Sequence, residues 1–222
     1  GQETSKLRLA CQVCEYPVPL TSDLTIGLVG VDLERGFRLE ANSELGEDIW
    51  QRLGLSGEVD KQRETAVAQL LSQRKKKRQD FFAQTSGEVA GWEKLLTIFA
   101  PCVNCHNCMT ACPICYCQEC FFESATFDLE GDRYLGRAEK RGALKMPTDT
   151  LLFHLTRMSH MAVSCVGCGS CEEACPNNVP LLKLFQLVGN RVQRLFDYTP
   201  GRSLADELPL AARQVFNLPA GA

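Results

Sequence analysis

Residues 102–113 and 165–176 repeat one arrangement of thiols. The first reads Cys102-Val-Asn-Cys105-His-Asn-Cys108-Met-Thr-Ala-Cys112-Pro113, the second Cys165-Val-Gly-Cys168-Gly-Ser-Cys171-Glu-Glu-Ala-Cys175-Pro176. Spacings this short let three sulfurs converge on three irons of one cube from a single tight loop. The fourth cysteine starts the segment leading away, and the following proline biases it toward extended backbone. In this run of Cys-x2-Cys-x2-Cys-x3-Cys-Pro the fourth thiolate serves the other cluster. The spacing therefore predicts two 4Fe-4S clusters with crossed ligands. Cys102, Cys105, Cys108 and Cys175 hold one, and Cys165, Cys168, Cys171 and Cys112 hold the other.

Residues between the ligands agree. Asn104 and Gly167 occupy equivalent places before the second cysteine, and both types tolerate positive φ. Turns of that kind aim backbone N–H groups at cluster sulfurs. Zinc sites use two separated cysteine pairs rather than four crowded thiols. Disulfides fit poorly with an odd count of 13 cysteines, which points instead to a reducing, cytoplasmic setting.

The rest of the chain sets looser bounds. At 222 residues and 45% hydrophobic it can bury a core as one large domain or two small ones. A net charge of −3 gives no reason to expect nucleic acid as a partner. The most apolar early run, Leu24–Val31, is too short to span a bilayer, so no membrane span is expected. No leader pattern is read. The opening Gly1-Gln-Glu-Thr, lacking Met, is what a trimmed, processed or partial chain would show.

Four stretches follow from the patterning. Residues 1–56 carry the pair Cys11-Gln-Val-Cys14, a strand within Leu24–Val31, a turn around Glu34–Gly36, and a second strand Phe37–Glu40. A short helix Glu44–Leu53 follows, capped by Asn42 or Ser43 and ended by Gly54. Residues 57–100 read as a helical linker of two helices, Val59–Phe82 and Val89–Phe99, broken near Ser86-Gly87. Residues 101–199 form the two-cluster domain, whose insertion between Cys112 and Cys165 includes a helix Thr148–Met161. That helix has an apolar stripe of Leu151, Leu152, Leu155 and Met158. A last helix starts at Pro180 and runs to Phe196. Residues 200–222, with three prolines, read as an extended tail. The fold class expected is α+β: a two-cluster, bacterial-ferredoxin-like core with an insertion, a small N-terminal strand and helix region, and a helical linker.

Five cysteines remain. Cys11 and Cys14 with Cys117 and Cys120 make a pair of pairs, suited to a third 4Fe-4S cluster or a structural zinc, with Cys115 able to replace Cys117. Plain buried thiols are the alternative. Arg74-Lys-Lys-Lys-Arg78 reads as a solvated helix face first and a partner-docking patch second. His154 and His160 do not share a helical face and make no metal pair. His106, between two ligands, tunes a cluster or meets solvent. No nucleotide-binding glycine motif and no catalytic-triad arrangement is present.

Cys112-Pro-Ile-Cys-Tyr-Cys-Gln-Glu-Cys-Phe-Phe-Glu-Ser124 resembles beta subunits of the deazaflavin-coenzyme hydrogenase/dehydrogenase family. It is closest to formate dehydrogenase beta subunits found with heterodisulfide-reductase-like partners. The segments Cys11–Pro19, Phe153–Met161 and Phe196–Arg202 add to the resemblance. Longer members carry a further N-terminal portion, partly linked to flavin or deazaflavin, which this chain is expected to lack, so a flavin site is not carried over. The resemblance implies an electron-transfer subunit of a multisubunit oxidoreductase. It would relay electrons between a molybdenum or tungsten formate dehydrogenase subunit and a flavin or heterodisulfide-reductase-type partner. The alternatives are a structural iron–sulfur subunit without redox turnover, or a reductase subunit with its own flavin site.

Overall fold

In the computed structural model, which describes residues 7–19, 21–57, 61–127, 130–142, 149–203, 205–207 and 209, the N-terminal apolar run folds into less strand than its composition suggests. After a single-turn helix α1 (Leu9–Gln12), β1 is Leu24–Gly27 and β2 is Arg38–Ala41. They pair antiparallel with Leu24 opposite Ala41 and Ile26 opposite Leu39. The inward face carries Thr25 and Gly27, while Ile26 points out. Thr25 Oγ1 is satisfied by Ser22 Oγ at 2.9 Å and Asn42 Nδ2 at 2.8 Å, so the buried hydroxyl is not orphaned. Ser43 caps helix α2 (Glu44–Arg52), accepting from Gly46 N–H at 3.2 Å, and Gly54 closes it at φ +64.

Helix α3 (Lys61–Val89) departs from expectation, running straight through Ser86-Gly87. One helical glycine costs only about 1 kcal/mol against alanine, too little to break a long helix. The break falls at Gly91, φ +99, before α4 (Trp92–Phe99). The expected start at Val59 lies outside the described residues.

By backbone contacts the chain divides into two units, 1–83 with 201–205 and 84–200 with 206–222, the boundary falling inside α3. In the first, α3 is pinned to the hairpin by Arg63. Its guanidinium holds Glu40 through both carboxylate oxygens (2.5 and 2.9 Å) and donates to Val29 O at 3.0 Å. Gly27 makes room for it, because a Cβ there would come within 2.5 Å of that guanidinium. The basic run corrects the expectation of a solvated face. Arg74 Nη1 donates to Gln12 O (3.2 Å), Lys77 to Gln12 Oε1 (3.4 Å) and Arg78 to Val13 O (3.3 Å), while Arg78 also pairs with Glu15 (3.0 Å). Three of its five cations clamp the Cys11–Cys14 turn.

The second unit gathers its core from Phe99, Met109, Phe122, Phe153, Met158, Met161, Val179, Leu181, Leu184 and Phe185, with the motif cysteines at its edge. It contains α5 (Asn107–Thr110), a 3-10 turn at Phe121–Glu123, α6 (Gly131–Arg141), α7 (Thr150–Met161), α8 (Ser170–Glu173) and α9 (Leu181–Leu195). Helix α6 lies in the insertion and carries no signal that the sequence reading used. Helix α9 matches its expected bounds, with Pro180 at its N-cap and Phe196 at its C-cap. Helix α7 has the expected period but another phase. Its buried residues are Thr150, Phe153, His154, Arg157, Met158 and Met161, while Leu152 and Leu155 are exposed. Among the described residues the two-stranded hairpin is the only sheet, so the α+β character is mostly helical. No helix among them is long and apolar enough to cross a membrane. The tail expected to be extended lies, from 210 onward, outside the described residues.

Candidate metal centres

The repeated motif folds as a repeated backbone. Asn104 and Gly167 both turn with positive φ (+56 and +66), as their positions suggest, and a second pair follows at His106 and Gly169 (+60 and +78). His106 and Gly169 are the N-caps of α5 and α8, and their carbonyls accept from Met109 N and Thr110 N, and from Glu172 N and Glu173 N. Cys112 N donates to Met109 O at 3.1 Å and Cys175 N to Glu172 O at 3.0 Å, ending the two turns alike. Helices α5 and α8 pack against one another. At 167 only glycine fits easily, since a Cβ at that φ would meet Gln186 Nε2 at 2.1 Å.

This arrangement brings thiols together across the motifs. Cys102, Cys105, Cys108 and Cys175 line one cavity, beside His154, Phe153 and Val179. Cys112, Cys165, Cys168 and Cys171 line a second, beside Arg157, Met161 and Phe185. Among the described residues no three Cys, His, Asp or Glu side chains converge as a single metal ion requires. Four thiols around a wider space suit a cubane better than one ion. The donor set and its enclosure therefore fit a 4Fe-4S cluster in each cavity.

Polar groups point at the sulfurs. Asn104 N donates to Cys102 Sγ and Val179 N to Cys175 Sγ, each at 3.4 Å. Asn104 Nδ2 ties its loop to Asp149, the N-cap of α7, at 2.7 Å. His154 lies flat on Phe99, with centroids 4.2 Å apart and planes 6° apart, and its Nε2 is 3.3 Å from Cys102 Sγ. Burial, with the charges of Arg157 and His106 adding, pushes its pKa down to about 3. The ring is neutral, and since Nδ1 has no partner, we place the proton on Nε2, where it can face a thiolate. His106 stacks on Phe153 at 4.3 Å and lines the first cavity.

Enclosure also acts on the thiols. Burial pushes Cys108 up to about 11 and Cys171 up to about 12, against the opposing pull of Arg157. Cys102 and Cys165 rise for the same main reason. Such thiols stay protonated until a cation displaces the proton, so metal loading releases protons here.

Of the surplus cysteines, Cys11 and Cys14 lie half-buried in the first unit. Cys115, Cys117 and Cys120 lie in the second, Cys117 exposed and Cys120 Sγ 3.6 Å from Met109 Sδ. His154 and Arg157 are site residues the sequence reading missed. They stand on one face of α7 with Thr150, a helical spacing that carries the signal only once their burial is known.

Comparison with known proteins agrees with these centres. Residues 98–179 match the family described as a 4Fe-4S dicluster domain. The chain is 28% identical over 204 residues to an F420-dependent formate dehydrogenase subunit beta of Methanocaldococcus jannaschii, covering 87% of this chain and 49% of that protein. It is 25% identical over 216 residues to the subunit beta of F420-dependent formate dehydrogenase 1 of Methanococcus maripaludis, covering 92% and 51%. The chain thus spans about half the length of the curated relatives it matches. It carries a 4Fe-4S dicluster domain and is a relative of F420-dependent formate dehydrogenase beta subunits.

Proposed function

We propose that this chain is the electron-relay subunit of a multisubunit formate-oxidising complex. One observation supports the reading above others. Each cavity takes three thiols from one motif and one from the other, which supports two redox centres side by side in one core. A thiolate-held cubane supplies one-electron chemistry when bound. The chain holds its ligands on short hydrogen-bonded turns, which resist rearrangement when charge changes. Phe153 and Val179 at the first cavity, and Met161 and Phe185 at the second, give each an apolar inner wall, while Cys105 and Cys168 stay exposed at the outer side. Backbone N–H groups at Asn104 and Val179 offset negative charge on Cys102 and Cys175.

The names of the relatives, beta subunits of F420-dependent formate dehydrogenase, support formate oxidation as the source of the electrons; the donor we propose is a molybdenum or tungsten subunit and the acceptor one of flavin or heterodisulfide-reductase type, in a cytoplasmic complex. At the Cys11–Cys14 turn of the first unit we propose that the two thiols contribute to a third metal site.

Anaerobically isolated protein is expected to hold about eight irons and eight acid-labile sulfides and to be reduced reversibly, or about twelve of each if the third site is a cubane. With zinc at the third site instead, about one zinc accompanies the eight irons, and Cys14→Ala loses it. Stoichiometric zinc with negligible labile sulfide would overturn the relay.

A further inference from the structure

Arg157 is a buried cation for which no balancing carboxylate is found among the described residues. It is 3% exposed on α7, and among the described residues no acidic side chain forms an ion pair with it. Its Nη1 donates to Cys108 Sγ at 3.0 Å and its Nη2 to Cys108 O at 2.9 Å, while Nε has no partner. The rings of Phe153 and Phe185 flank the guanidinium, with centroids at 5.4 and 5.2 Å. Reaching Cys108 of the first cavity, the same side chain also forms part of the wall of the second.

A charge taken out of water is costly unless opposite charge faces it. Two aromatic faces compensate a guanidinium only in part. Four thiolates around a cubane leave a net negative charge, and one-electron reduction adds another without making or breaking a bond. Charge and hydrogen bonds at the sulfurs are what set such potentials. A fixed cation between two such centres stabilises the reduced state of both. Arginine suits the position because it stays charged when buried and grips sulfur and carbonyl with one planar fork.

We propose that Arg157 is the counter-charge shared by both cluster sites, raising both reduction potentials, with the stronger hold on the Cys102/Cys105/Cys108/Cys175 site. The proposal rests on the relay reading above. Placed there, Arg157 would make both stations easier to reduce.

The test is a redox-poised EPR titration of the loaded protein, with iron and labile sulfide measured on the same samples, for the unaltered chain, Arg157→Met and Arg157→Lys. Dithionite supplies the electrons. The methionine variant is expected to stay loaded while both midpoints fall, one more than the other. Each reduction constant should weaken about tenfold or more, which is about 59 mV for a one-electron couple. The lysine variant should recover most of that loss. Loaded methionine protein with unmoved midpoints would overturn the proposal, and so would movement of one midpoint alone or a lysine variant as low as methionine. If methionine blocks loading and lysine allows it, the need for charge is upheld. If both block loading, size and shape are what matter and the proposal falls. An unaltered chain without reversible reduction would refute the relay itself, before any variant is compared.

Discussion

Cys175 faces the thiols of the other loop rather than those of its own. It lines the first cavity with Cys102, Cys105 and Cys108, as Cys112 lines the second with Cys165, Cys168 and Cys171. Replacing Cys175 by alanine is therefore expected to damage the centre of the first motif, and Cys112→Ala that of the second. EPR and iron counts on the two variants check this, and loss confined to each variant's own motif would refute it. At this scale the sequence is legible where spacing is itself the chemistry. Eight cysteines and the turns at Asn104 and Gly167 could be placed without coordinates. His154 and Arg157 could not, because nothing local marks a polar side chain as buried. Their roles depend on which way α7 is rolled.

Helix α7 shows how a correct period can carry a wrong phase. A hydrophobicity argument puts Leu151, Leu152 and Leu155 inside and sends His154 and Arg157 to solvent. The observed face keeps Met158 inside and Leu151 half-buried but turns Leu152 and Leu155 out, burying Thr150, His154 and Arg157 with Phe153. Those polar groups have sulfur, carbonyl and aromatic partners near the cavities, so burial there is compensated rather than penalised. Leu152→Glu should then shift stability by no more than about 0.5 kcal/mol. Phe153→Ala should cost about 3–5 kcal/mol, since it leaves a hole between His106, Phe122 and His154. Chemical denaturation of both loaded variants decides between the two faces. For α3 the sequence offered a Ser86-Gly87 break that the helix simply absorbs. The inward turn of its basic run needed the Cys11–Cys14 backbone to be in place before it could be read.

Considered whole, the molecule divides its means of staying folded. The first unit relies on main-chain pairing of β1 with β2 and on the Arg63–Glu40 fork. In the second, motif cysteines stand at the rim of the apolar core, where burial holds several as neutral thiols with raised pKa. Metal-binding free energy there becomes folding free energy. Removing iron anaerobically with a chelator is expected to open residues 101–180 to protease while the segment 21–57 resists. Equal loss of both segments, or of neither, would contradict this division, and mass spectrometry of the fragments reads it directly.

The crossing of the two loops also has a consequence in time. A ribosome delivers Cys102 first and Cys175 last, yet these two thiols line the same cavity. The cavity begun earliest takes its last thiol from the final cysteine of the two motifs, whereas the later one has all four of its thiols once Cys171 is made. A nascent chain halted before residue 175 has no finished wall for its first centre, however long it waits. Iron and sulfide delivered during synthesis would meet an incomplete vessel, so filling the first centre belongs after both loops have emerged and closed on each other.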